Sequence, residues 1–206
     1  MGAFAYLCDY DWRTALAEYA LAEPSLPNDA KLQYLSGLAH RRLGQWPEAR
    51  RAFERAVVLN PRDVFAAVTL VETMHALRHF EDARTLAARN LAIFPTDSDV
   101  REFPSRAQFG LNGDVLARAR SLAALGPTSG DPFGLRARLL VALMSGDFAG
   151  AERVAADPQA TKLTSLNSAL VEPVARSRAL IAYVRGQREA AVKFADETIA
   201  FYRGQT

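Results

Sequence analysis

Proline stands at positions 27, 61 and 95, each 34 residues after the one before. The same step carries Trp12 to Trp46 and on to Phe80 and, after a miss at Asp114, to Phe148. Ala15, Ala49, Ala83, Ala117 and Ala151 form an unbroken series on it, and Tyr19 and Phe53 each follow their alanine by four residues. Gly44 returns three steps on as Gly146, with Asn112 between them. An alanine-rich chain aligns with itself at some offset by chance. Alanine, aromatic, glycine and proline falling into phase together do not. A fixed period of this length marks a repeat architecture, in which each unit is one supersecondary element that cannot bury its apolar face alone.

Beyond residue 151 the step lengthens. Gly186 lies 40 residues after Gly146, and Ala191 lies 40 after Ala151. Six extra residues have entered, most simply in the stretch 156–167, which reads as an irregular insertion.

Each unit reads as two helices. Alanine, leucine and arginine are abundant, and all three are good helix formers. The clearest unit starts a first helix (A) after Asp29, a candidate N-cap, and ends it near Gly44, which suits the left-handed position that closes a helix. Pro47 fits the first turn of the second helix (B), where a missing N–H costs nothing. Ala49, Phe53 and Ala56 then fall on one stripe. Small Gly37 and Ala49 let the two helices approach, Phe53 fills the gap towards the next unit, and Pro61 stops helix B.

These residues resemble the tetratricopeptide repeat family. Residues 30–63 carry its pattern best, with Gly37, Gly44, Trp46, Ala49, Phe53, Ala56 and Pro61. Residues 64–97 follow with Leu70, Phe80, Ala83, Leu91 and Pro95; 98–131 and 132–165 are placed by phase; 172–205 keeps Gly186, Ala191 and Ala195. Residues 1–29 read as a partial unit led by a short helix A. The resemblance implies an all-α fold, a right-handed superhelical solenoid of antiparallel helix pairs, with about five repeats and a leading helix in one domain over 1–206.

In that family ligands lie along the concave face made by the A helices. The resemblance therefore implies a groove lined by Tyr34, Leu38 and Arg41, then Phe65, Thr69 and Glu72, then Arg106 and Phe109, then Leu140, and last Tyr183, with Arg136, Arg176 and Leu180 at neighbouring positions. One subclass grips a C-terminal carboxylate with paired Lys and Asn. Tyr34, Leu38 and Thr69 stand in those places here, so that clamp is not expected. An apolar, aromatic groove with scattered arginines suits an amphipathic helix or an extended apolar segment with some acidic groups. The implied function is a non-enzymatic adaptor for a protein or peptide partner.

Other classes find little support. The 25 basic and 23 acidic residues nearly balance, giving no basic footprint for nucleic acid. No apolar run approaches the ~18 residues of a membrane span, and the N-terminus lacks a basic signal-peptide region. One cysteine, Cys8, excludes an intrachain disulfide framework and reads as a small apolar residue in a cytoplasmic protein. The stretch 126–134, "GPTSGDPFG", has no lysine for a phosphate-binding loop and reads as a turn. No cofactor is expected. Glu72, His75 and His79 fall at i, i+3 and i+7, a spacing that could supply metal ligands; a polar end of helix A is the plainer reading.

The last helix carries Phe194, Ile199 and Phe201 with no later helix to cover them, and Pro104 and Pro173 interrupt the A helices of the third and fifth repeats. "DYDW" before the first helix B is similar to tetratricopeptide regions appended to bacterial kinases, cyclases and winged-helix regulators. An alternative function follows: an oligomerisation or sensory module of a larger regulator, working through its open C-terminal helix, with terminal helices that could take a second copy.

Overall fold

The computed structural model describes residues 11–125, 132–157, 162–164 and 171–204. The leading segment with Cys8, and most of the stretches 126–134 and 156–167, lie outside the described residues. Three aspartates on the repeat period open helices. Leu32 N–H donates to Asp29 Oδ1 at 2.9 Å, Phe65 and Ala66 N–H donate to Asp63 Oδ1 at 3.0 and 3.2 Å, and Val100 N–H donates to Asp97 Oδ1 at 3.0 Å. Each such cap contributes about 1 kcal/mol by satisfying a helix donor that has no partner in its own helix.

Eleven α-helices follow in order among the described residues: α1 (Trp12–Ala22), α2 (Ala30–Arg42), α3 (Trp46–Leu59), α4 (Val64–Ala76), α5 (Phe80–Ile93), α6 (Ser98–Asn112), α7 (Val115–Ala124), α8 (Pro132–Met144), α9 (Phe148–Ala155), α10 (Val174–Val184) and α11 (Arg188–Arg203). A single 3-10 turn, Glu23–Ser25, follows α1. The architecture is all-α, built of helix pairs. It carries one short antiparallel strand pair, β1 (Lys162–Thr164) with β2 (Val171–Pro173), in register Leu163 opposite Glu172. The stretch that reads as irregular in the sequence therefore contains paired backbone. Pro173 does not interrupt a helix A; it is the N-cap of α10. Pro104 does lie inside α6, and the helix runs through it.

Four A-to-B turns share one hydrogen-bond pattern. Gln45 N–H donates to His40 O, His79 to Met74 O, Asp147 to Ala142 O and Gln187 to Ala182 O, all at 2.9 Å. The residue before each donor is left-handed: Gly44 at φ 73°, Arg78 at 61°, Gly146 at 75° and Gly186 at 73°. This is the Schellman closure of a helix. The third repeat departs from it. There Gly113 N–H donates to Phe109 O at 2.7 Å, a simpler left-handed closure, and α6 extends through Asn112, the residue in phase with Gly44.

The chain divides into two compact units, Met1–Pro95 and Thr96–Thr206. In the first, α1 packs on α2, α2 on α3, α3 on α4 and α4 on α5. Its centre is α4, with eight buried residues from Ala66 to Met74. Phe53 is fully buried, and a Cβ built on Gly37 would lie 2.5 Å from its Cε1. Gly37 is thus what lets α2 and α3 close on the ring. The Phe53 ring also lies 5.9 Å from that of Tyr34 in the same repeat. Asn90 is buried and donates through Nδ2 to Ala67 O at 3.1 Å, tying α5 to α4.

In the second unit α6 packs on α7, and contacts run on pair by pair to α10 on α11, with β1 against α8. Leu135, Leu139, Ala151, Ala155, Val174 and Ile181 form its core around α8, α9 and α10. Two arginines cap the ends of preceding B helices: Arg138 Nη2 donates to Leu122 O at 3.2 Å and Arg178 Nη2 to Ala155 O at 2.5 Å.

Candidate functional site

The A helices of the first unit, α2 and α4, carry six of the residues read as groove-lining. Arg41 on α2 reaches Glu72 on α4 at 3.5 Å, with both side chains largely buried. This ion pair crosses from one repeat to the next and joins two of the expected groove residues. Phe65, near the start of α4, is 58 % exposed, the most accessible large apolar side chain on either helix. Tyr34 is half-buried against Phe53. Leu38 packs on the small core of Ala15, Tyr19 and Ala39. Thr69 is buried, and its carbonyl accepts from Thr73 Oγ1 at 2.7 Å. Its side chain is therefore core and not groove. Repeat position misleads here because α4 is enclosed on nearly every side.

Four expected residues lie in the second unit. Arg106 places its guanidinium 5.8 Å from the ring centroid of Phe103. Phe109 lies under a second guanidinium, that of Arg118, also at 5.8 Å. Arg118 makes a close ion pair with Glu102, and both side chains are largely buried. Burial pushes the Arg118 guanidinium down to about 10, which leaves it charged at neutral pH. Sequence reading missed this pair and gave Arg118 no role. Leu140 on α8 is 43 % exposed and Tyr183 on α10 is 76 % exposed.

The histidines do not assemble with Glu72. Helix α4 ends at Ala76, so His79 is off it, at the N-cap of α5, where it sits 3.2 Å from Arg50 Nη1 and 3.6 Å from Asp82. His75 Nδ1 donates to Val71 O at 3.0 Å, and its ring meets Phe80 edge-on at 5.9 Å. No group of three or more His, Cys, Asp or Glu side chains able to hold a metal occurs among the described residues. The last helix also differs from expectation. Phe194 and Phe201 are half-buried, the former under Arg178 at 5.9 Å, and the exposed apolar side chains of α11 are Val192, Ile199 and Tyr202.

The profile of the tetratricopeptide repeat matches residues 30–63, the span of α2 and α3 with their caps. A solved tetratricopeptide repeat protein from Parabacteroides merdae superposes on 97% of this chain and 75% of its own, with a TM-score of 0.77 at 14% identity. Residues 30–63 are a tetratricopeptide repeat, and the chain has the helical-repeat fold of that protein. Two further structures share the tetratricopeptide solenoid fold. PilW, a type IV pilus biogenesis factor, matches over 98% of this chain and 90% of its own with a TM-score of 0.68 at 17% identity. The APC/C hetero-tetramer Cut9–Hcn1 matches over 90% of this chain and 36% of its own, with a TM-score of 0.67 at 15% identity. At these identities the likeness is one of fold. No curated protein matches this chain in sequence. No described helix is long and apolar enough to cross a membrane.

Proposed function

We propose that the protein is a non-catalytic scaffold of the cytoplasm that binds a peptide or helical segment of a protein partner on the faces of its A helices. The observation that carries this reading is the exposure of large apolar side chains on the A helices. Phe65, Leu140, Leu180 and Tyr183 stand 43–76 % exposed on helices whose neighbouring residues are core. Large apolar side chains held on rigid helices, with no surrounding loop to fold over them, are the anchors that peptide grooves use. The Arg41–Glu72 pair supports the reading because it fixes two A helices side by side. Cut9–Hcn1, a complex of proteins on the same fold, is consistent with it.

The test is affinity capture from lysate of the source organism, comparing the protein with a Phe65→Ala/Arg106→Glu/Tyr183→Ala variant. The variant is expected to keep its helical circular dichroism and lose the partner. Equal capture by both overturns the groove. It would favour a second reading, docking of another domain or a second copy on α11, where Val192 and Ile199 are 55 % and 47 % exposed.

A further inference from the structure

The first unit sorts its exposed side chains by edge. Its packed helices are joined by short connections and alternate in direction, so the chain passes from each B helix to the next A helix on one side of the unit. Two hydrogen bonds tie that side together. Arg55 Nη2, near the end of α3, donates to Asn28 Oδ1 in the α1–α2 connection at 2.8 Å, and Asn90, near the end of α5, donates to Ala67 O at the start of α4. Five large apolar side chains are exposed among the described residues of this unit. One, Phe65, is the groove anchor. The other four stand on this edge: Leu21 is 77 % exposed, Val58 68 %, Leu26 47 % and Ile93 40 %. The A-to-B turns on the opposite edge have none.

Charge is sorted in the same way. Lys31, Arg55, Arg62 and Arg89 are exposed on this edge, and among the described residues none of the four pairs with a carboxylate. The carboxylates in the connections are turned to donors of the chain itself: Asp29 and Asp63 accept from helix N–H groups, and Glu23 accepts from Gln33 Nε2 at 3.1 Å. Towards the opposite edge, arginines meet acids on their own helices, Arg51 with Glu48 at 3.0 Å and Arg84 with Glu81 at 2.9 Å.

We infer that the edge formed by the B-to-A connections docks on the surface of an anionic lipid bilayer, with Leu21, Leu26, Val58 and Ile93 entering the headgroup layer and the four bases meeting anionic headgroups. Apolar side chains spread over three connections need a partner that accepts them wherever they fall. A fluid headgroup layer does so, whereas the anchors of a protein interface sit in matched pockets. A second copy on the same edge is disfavoured, because a two-fold contact sets the same bases face to face. Nucleic acid would take the bases and leave the four apolar side chains in water. Docked in this way, the scaffold keeps its A-helix faces for a protein partner.

The test is sedimentation of the protein with vesicles of phosphatidylcholine alone and of phosphatidylcholine with about one-third phosphatidylglycerol, over a range of salt. The protein should pellet with the anionic vesicles only, and less as salt rises. Two variants remove the same charge from different places. Arg62→Gln/Arg89→Gln should weaken the partition about thirtyfold, and Arg51→Gln/Arg84→Gln less than about threefold. Leu21→Ser/Val58→Ser should weaken it at every salt concentration, with the circular dichroism unchanged. Equal losses from the two arginine variants would reduce the effect to net charge, and full binding by the serine variant would leave the apolar side chains without a role. Either overturns the inference, as does a protein that stays in the supernatant with anionic vesicles or that binds an oligonucleotide as tightly. Phe65, Arg106 and Tyr183 are untouched in these variants, so capture of a groove partner should survive in all of them, and a failure of vesicle binding leaves the scaffold reading standing.

Discussion

Arg78 holds a left-handed backbone, φ 61°, at the step where Gly44, Gly146 and Gly186 hold theirs. A side chain there costs roughly 1–2 kcal/mol through its Cβ, a cost glycine does not have. The Arg78 guanidinium lies 6.0 Å from the ring of Phe80, which offsets part of that. Arg78→Gly is therefore expected to raise the thermal midpoint by a few degrees, for a net gain of about 1 kcal/mol; a scanning calorimetry trace with a lower midpoint would show that the ring contact outweighs the strain. Residues of this kind are legible in the sequence because their cause is local. Gly44, Asp29 and Pro47 each satisfy or end a helix within a few positions of themselves. The aspartates at 63 and 97 carry the same signal on the same period, and Asp131 continues it in the sequence beyond the described residues. Arg118 is not legible in this way. Its role depends on a carboxylate 16 residues away on another helix, and the phase says nothing of which side chains meet across a turn.

That pair belongs to the helix scale, since Glu102 on α6 and Arg118 on α7 lock the one helix pair whose connecting turn breaks the common pattern. Both charges are largely withdrawn from water, so the attraction mainly offsets the cost of burying them. Removing one partner leaves the other buried alone. Glu102→Gln should cost about 3–5 kcal/mol, whereas Glu102→Leu with Arg118→Met should cost far less or nothing. Urea unfolding of the two variants decides it, and equal losses would place the stabilisation in side-chain packing. The helices themselves were readable from the period and from their caps. Two prolines were not. Pro173 sits at a helix start, where its fixed φ is favourable, while Pro104 sits mid-helix, and a sequence shows the same residue type in both settings. Thr69 was misplaced for a related reason: equivalent positions share a direction along the repeat, but α4 is covered on more sides than α2.

For the whole chain, burial is uneven. Eight residues of α4 are buried, and none of α11. In a repeat array each element is stabilised by its neighbours alone, so local opening should follow this order. Amide hydrogen exchange is expected to be slowest in α4 and fastest, among the helices, in α11; uniform protection would mean that the chain unfolds as one unit. The architecture was legible because the same packing problem is solved again every 34 residues, and repetition makes weak signals add. The strand pair was not, because it occurs once. Its pairing sets Thr164 opposite Val171 and delivers the chain through Pro173 to the start of α10, where the arginine and leucine positions resume in step. The number of residues spanned between those two strands is thereby uncoupled from the repeat frame. Evolution, or an engineer grafting a recognition loop, could lengthen that span freely and leave every helix in register.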